Sequence, residues 1–305
     1  MTTGHPPSVT VVIPAFNRVG TIRAAVESVL WQSHADFELL VVDDGSSDGT
    51  MSALAGMTDP RLRLLANPHN MGPSAARNTG IRAARGDWVA FQDSDDEWLS
   101  DKLAKQMVRI ALTGPGCVAA YCGMLIDAPK DGSLGPGGVR YYPDASLGVR
   151  EGNLLEPLLR RSLISTQTLI ARRDALLKIG GFDESLPALE DWDCVLQLAR
   201  LGSFAFVDEA LVKQYFSPNS ITRNRAKWAS ARERVVAKNL DLLQLRPKVL
   251  AGHYRSIAGE SRRLGQLAEA TSAIRKALDA TPGDPKLWLL MAYLAARSLI
   301  ASPQG

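Results

Sequence analysis

The chain has 305 residues, 46% of them hydrophobic, and a formal net charge of only +3. That is enough to bury one large core or two smaller ones, and too little charge to imply nucleic-acid binding. Its three cysteines, Cys117, Cys122 and Cys194, are odd in number and lack C-x-x-C spacing, which argues against a disulfide framework or a zinc site and suits a reducing cytoplasm. The opening "MTTGHPPSVT" has no basic segment followed by an apolar one, so no signal peptide is expected.

In chain order, "SVTVVIPAF" (8–16) is a β-branched run ended by Pro14 and reads as a strand. "TIRAAVESVLWQS" (21–33) places Ile22, Ala25, Val26, Val29 and Leu30 at helical spacing. "FELLVVDDGSSDGT" (37–50) is a second buried strand ending in acid, glycine and serine. "SDGTMSALAGM" predicts a new helix, capped by Ser47 or Asp48. "RLRLLANP" (61–68) is a short strand, "GPSAARNTGIRAARG" (72–86) an Ala-rich helix, and "WVAF" (88–91) a buried strand. This alternation predicts an α/β domain with a mostly parallel central sheet, in which ligands bind beyond the carboxyl ends of the strands. Three of those ends carry Pro14-Ala15-Phe16-Asn17, Asp43-Asp44-Gly45-Ser46 and Asp93-Ser94-Asp95-Asp96, so a single ligand site is expected along one edge.

Residues 127–152 are rich in Gly and Pro and are expected to form a long loop, either a lid or disordered. Residues 153–181 read as helix, short strand, helix, followed by a helix over 190–202 and a strand over 204–216. From about 223 the chain turns helical and basic, with only Glu233, Asp241, Glu260 and Glu269 as acids between Arg223 and Lys276. The expected division is 1–222 and 223–305. Gly265, Ala270, Ala277, Leu278 and Pro282 fall where a tetratricopeptide unit places its small residues and terminal proline, which predicts a helical hairpin. "LWLLMAYLAARSLIA" (287–301) is interrupted by Arg297 and is shorter than the roughly 20 residues needed to span a bilayer. It reads as a packing helix, with a surface-bound helix as the alternative.

Three acidic clusters carry the chemistry. Asp93 and Asp95, one residue apart after a buried strand, suit Mg²⁺ or Mn²⁺, which bind through a few carboxylates plus substrate phosphates. The competing reading is a solvated loop in which Asp96 and Glu97 cap a helix beginning "EWLSDKLAKQM". Asp43-Asp44 either accept hydrogen bonds from a nucleobase or ribose, or belong to a turn. Glu190, Asp191 and Asp193 open a helix whose dipole stabilises them. Trp192 among them would bury a carboxylate and raise its pKa, as a general base requires. The four histidines show no metal or triad spacing, and there is no serine-nucleophile or Walker motif.

"VTVVIPAFNRVGTIRAAVESVLWQSHADFELLVVDDGSSDGT", "NMGPSAARNTGIRAARGDWVAFQDSDDEW" and "GGFDESLPALEDWDCVLQLARLG" resemble, in that order and at matching separations, the family 2 glycosyltransferases of the GT-A fold, over roughly residues 8–220. The resemblance implies a nucleotide-sugar donor, UDP by default, and inverting transfer to a saccharide, lipid-linked saccharide or protein hydroxyl. Pro14, Ala15 and Asn17 match the segment lining the base, Asp44 the carboxylate reading its edge, and Asp93 and Asp95 the D-x-D. Asp95 would touch the metal, Asp93 the ribose or the metal's waters, and Arg77 would join the donor side. Asp191 matches the general base, with Glu190 and Trp192 toward the acceptor. Relatives often carry a histidine shortly after the last strand, whereas "QYFSPNSIT" has Ser217 there, which leaves the third metal ligand open.

A haloacid-dehalogenase phosphatase would need a small Thr or Val where Glu97 stands, and a phospho-receiver domain does not account for the rest. A catalytically silent nucleotide-sugar sensor, or a scaffold acting through its helical tail, is the alternative function. The basic tail also suggests peripheral contact with an anionic membrane.

Overall fold

The computed structural model describes residues 5–128, 138–215 and 225–301. The chain divides into two compact units, one of Met1–Glu184 with Asp191–Pro218 and one of Ser185–Glu190 with Asn219–Gly305.

The first unit begins β1 (Val9–Ala15), α1 (Ile22–Leu30), β2 (Phe37–Asp43), β3 (Leu62–Ala66), α2 (Pro73–Ala83) and β4 (Trp88–Phe91). Every residue of β1 and β2 is buried, as expected of strands covered on both faces. Then follow β5 (Glu97–Trp98), α3 (Lys102–Thr113), β6 (Cys117–Ala128), β7 (Gly138–Tyr142), α4 (Leu155–Arg160), β8 (Ile170–Arg172), α5 (Arg173–Lys178), α6 (Glu190–Ala199) and β9 (Ser203–Gln214). The sheet runs β3-β2-β1-β4-β8-β6-β9-β5, with β7 on β6. Strands β3, β2, β1 and β4 are parallel, so their carboxyl ends share one edge. Beyond β4 the sheet is mixed: β8 is antiparallel to β4 and β6, while β6 and β9 are parallel. Helix α2 lies close against β1 because Gly80 leaves room: a Cβ there would sit 2.4 Å from Val12 Cγ1.

Three expectations need correction. "SDGTMSALAGM" forms only a 3-10 turn, Ser52–Leu54, whose one buried residue is Leu54. Without an apolar stripe to bury, a helix has little to hold it. Glu97 and Trp98 do not start a helix but pair with β9, and α3 begins at Lys102. Trp98 is buried, with its indole N–H donating to the Gln167 carbonyl (3.1 Å). The stretch 127–152 is not one long loop, since Gly138–Tyr142 pairs antiparallel with the far end of β6. Its residues 129–137 lie outside the described ones.

The second unit contains α7 (Arg225–Lys238), α8 (Leu240–Leu243), α9 (Pro247–Arg263), α10 (Leu267–Ala280) and α11 (Pro285–Ala301). Gly265, at φ +76°, turns the chain between α9 and α10. Ala251, Ile257 and Ala258 of α9 then pack with Ala270, Ala273, Ile274 and Ala277 of α10. No helix among the described residues is long and apolar enough to cross a membrane.

Candidate functional site

The loops after β1 and β2 are stitched to each other. Asn17 adopts φ +53°, a left-handed conformation that asparagine tolerates. Its backbone N–H donates to Ser46 Oγ (2.9 Å), and its Oδ1 accepts from the Ser47 N–H (2.9 Å). The Arg18 N–H donates to Thr50 Oγ1 (2.7 Å). Pro14 and Ala15 are buried inside β1; of the Pro14–Asn17 segment, it is Phe16 and Asn17 that present side chains to solvent.

Asp44 differs from its expected role. Its side chain is buried and turned onto its own chain. Oδ2 accepts from the N–H groups of Met71 (3.0 Å) and Gly72 (2.7 Å), and Oδ1 from Asn67 Nδ2 (2.7 Å). In this arrangement Asp44 shapes the 67–72 loop after β3 rather than standing open to a base. Sequence pattern does not reveal this, because the donors lie more than twenty residues away.

At the end of β4 the acids meet arginines. Arg77, buried on α2, donates from Nη2 to Asp93 Oδ1 (2.9 Å), and its guanidinium lies 5.4 Å from the Phe182 ring centre. Arg18 Nη2 stands 3.6 Å from Asp95 Oδ2. Asp95 titrates above the usual carboxylate range because of burial and the neighbouring Asp93 charge, with Arg18 opposing. Asp96 points inward. Its Oδ1 accepts from the Tyr215 N–H (3.0 Å), its Oδ2 from Gln167 Nε2 (3.2 Å), and burial drives its pKa well upward. Asp96 therefore holds the acidic loop to the end of β9 and does not cap a helix. Arg18 was not identified from the sequence, and Asp96 was read only as one of the strand-end acids or a helix cap. Arg18 directly follows Asn17, and its relevance appears only when β1 and β4 lie side by side.

The third sequence motif is fixed to the same helix. Asn78, next to Arg77, accepts from the Phe182 N–H (2.8 Å) and donates from Nδ2 to the Phe182 carbonyl (2.8 Å) and to Glu184 Oε1 (2.9 Å). Gly181, at φ +75°, permits this: a Cβ there would sit 2.3 Å from Asn78 Oδ1. Phe182 also packs edge-on against Phe91 of β4, with centroids 5.1 Å apart. Two adjacent residues of α2 thus reach both the D-x-D loop and the segment leading to α6.

Asp191 lies in the first turn of α6, where Oδ1 accepts from the Trp192 N–H (2.7 Å). Its negative charge, after burial, helps push the Tyr142 phenol up to about 12. Tyr142, at the end of β7, thus feels the Asp191 charge, a coupling that the sequence did not suggest, since it sat in the stretch read as a loop. Trp192 was expected toward the acceptor. It is instead buried, with its indole N–H donating to the Leu158 carbonyl (2.8 Å), and anchors α6 from within. Glu190 is the first residue of α6.

Among the described residues no group of three or more His, Cys, Asp or Glu is placed to hold a metal ion. The Asp93–Asp95 pair nevertheless fits Mn²⁺ or Mg²⁺. Both are hard oxygen donors, and Asp95 titrates upward first because of its burial and then because of the Asp93 charge, with Arg18 opposing. Such ions complete their shells with phosphate oxygens and water. The Ser217 position lies outside the described residues.

Residues 10–124 match the model of glycosyl transferase family 2. A Bacillus subtilis (strain 168) protein with the name "Putative teichuronic acid biosynthesis glycosyltransferase TuaG" is 30% identical over 234 residues, 76% of this chain and 87% of that one. The Escherichia coli UDP-Glc:alpha-D-GlcNAc-diphosphoundecaprenol beta-1,3-glucosyltransferase WfgD is 43% identical over 99 residues, 32% of this chain and 39% of that one. The matched stretch thus spans well under half the length of this E. coli relative. Two solved structures share the fold. One is S. aureus TarS 1–349 in complex with UDP-GlcNAc, with TM-score 0.63, 17% identity and coverage of 90% of this chain and 89% of that one. The other is a Pyrobaculum calidifontis mannosyltransferase in complex with GDP-Man and Mn²⁺, with TM-score 0.63, 22% identity and coverage of 97% and 81%.

Proposed function

The chain belongs to glycosyl transferase family 2 and has the α/β GT-A fold, and from that premise we propose that it transfers a sugar from a nucleotide-sugar donor to a hydroxyl acceptor in a single inverting displacement. The observation that carries this reading is the arginine-bound acid pair at the end of β4: Asp93 held by Arg77, and Asp95 beside Arg18. Asp93 and Asp95 would hold Mn²⁺ or Mg²⁺, which when bound neutralises charge on the leaving diphosphate.

The chain's own groups do the rest. Arg77 fixes the Asp93 rotamer from below, and Arg18 brings a guanidinium to the place where pyrophosphate oxygens would lie. The stitched loops after β1 and β2 present Asn17 and Ser47 beside them, and the loop set by Asp44 closes the nucleoside side. Asp191 takes the proton of the acceptor hydroxyl as it attacks the anomeric carbon from the face opposite the leaving group. It lies in the first turn of α6, with Oδ1 accepting from the Trp192 N–H. A single displacement needs no nucleophile from the enzyme.

UDP is the proposed nucleotide, since UDP-sugars appear in the names of the E. coli relative and the TarS complex. The proposed acceptor is a lipid-linked saccharide of polysaccharide biosynthesis, as the E. coli relative's name describes for that protein. The cytoplasmic side of the membrane is the proposed place of action, and three buried free cysteines suit a reducing compartment.

The test is transfer by wild type and Asp191→Ala with a panel of UDP-sugars and Mn²⁺. Asp191→Ala should keep donor binding and lose transfer by about 10²–10⁴-fold, the usual contribution of a general base. Normal transfer by this variant refutes the base assignment. Absence of turnover by wild type with every donor removes the enzyme reading.

A further inference from the structure

Helix α11 carries a face that its own unit leaves bare. Leu287 and Leu294, two turns apart, pack into the core shared with α9 and α10, with Leu290 and Met291 at its margin. On the other side Trp288, Leu289 and Tyr293 are 56%, 72% and 43% exposed. Ala292 and Ala296 are exposed too and, at 3.6 residues per turn, lie among these three. The Trp288 indole N–H is already satisfied by the Pro282 carbonyl (2.8 Å), so its ring is displayed as apolar surface.

The charges within the helix have one sign; the acid that precedes it, Asp284, is turned to its N-terminus, where Oδ1 accepts from the Lys286 N–H (2.9 Å). Residues 285–301 include Lys286 and Arg297 and no acid, and helical geometry places both at the Tyr293 edge of the bare face. Arg262 of α9 lies over the Tyr293 ring, 5.7 Å from its centre. The whole stretch 223–305 holds fifteen Lys and Arg against six Asp and Glu. An apolar strip of Trp, Leu and Tyr with a cationic edge at Tyr293 matches a helix lying in the interface of an anionic bilayer, where apolar area and electrostatic attraction add. Pairing with a second copy would bring two cationic margins together. Tryptophan and tyrosine are also the side chains enriched at the headgroup level.

We propose that the Trp288–Leu289–Tyr293 face of α11 docks the protein on an anionic phospholipid surface. The contact is peripheral, and the assay below needs no turnover, so its outcome is independent of the transfer chemistry.

The full chain should float with phosphatidylcholine vesicles doped with phosphatidylglycerol, not with phosphatidylcholine alone, and should be released by salt. Trp288→Ala combined with Leu289→Ser should weaken vesicle affinity by at least about tenfold, with unchanged thermal unfolding and unchanged donor-induced stabilisation. Lys286→Gln should weaken it by about fivefold, and only on anionic vesicles. Failure to float, equal binding to both vesicle types, or wild-type binding by the double variant would overturn the proposal. A soluble dimer abolished by the same double substitution, without vesicle binding, would assign the face to a second copy instead.

Discussion

Replacing Arg77 tests whether α2 organises the acidic loop. Its guanidinium is buried, donates to Asp93 at 2.9 Å and stacks 5.4 Å from the Phe182 ring centre. Breaking a fully buried ion pair costs about 3–5 kcal/mol. The Asp93 side chain is 28% exposed, so water recovers part of that, and about 2–3 kcal/mol remains for the pair. The stacked ring adds about 1 kcal/mol. Arg77→Ala should therefore destabilise the chain by roughly 3–4 kcal/mol in chemical unfolding at neutral pH. A double-mutant cycle isolates the pair: Arg77→Ala and Asp93→Ala together should cost about 2 kcal/mol less than the sum of the two. Additivity within about 0.5 kcal/mol would show that Arg77 does not hold Asp93, and the positioning argument would fail.

Two further outcomes follow from the packing around the site. Lys102 is fully buried under Trp98, 3.7 Å from its ring centre, and burial lowers its pKa from 10.5 to about 8. Between those values the unfolded chain holds the proton and the folded chain does not, so stability gains from this residue as pH rises, by about 3 kcal/mol in all. Lys102→Met should lack that gain; parallel pH profiles of unfolding free energy for wild type and variant would exclude it. Gly181→Ala would drive a Cβ against Asn78 Oδ1 at a positive φ and should cost about 2–4 kcal/mol with reduced transfer; an unchanged unfolding midpoint would mean that Asn78 does not pin the segment.

The parallel half of the sheet could be read from sequence because β1, β2 and β4 are mostly apolar runs, broken only by Thr10 and Glu38, whose ends change abruptly to polar residues. Burial on both faces produces that pattern without help from distant residues. What could not be read depends on partners far along the chain. Glu97-Trp98 precedes helix-like residues, yet pairs with Lys213 and Val212 of β9. Asp44 and Asp96 look like exposed turn acids until Met71, Gly72, Gln167 and Tyr215 are brought to them. Trp192 was expected toward the acceptor, but its indole is committed to Leu158. Arg18 and Tyr142 acquire meaning only through the charges of Asp95 and Asp191, which no periodicity encodes.

The central claim is that Asp93 and Asp95 form a cation-dependent seat for a sugar nucleotide. Thermal unfolding with a saturating UDP-sugar, with and without Mn²⁺, addresses it directly. Wild type should gain roughly 5–10 °C only when both are present, and Asp95→Ala should gain nothing. Equal stabilisation of Asp95→Ala, or full stabilisation of wild type by the donor in the presence of a chelator, would contradict it.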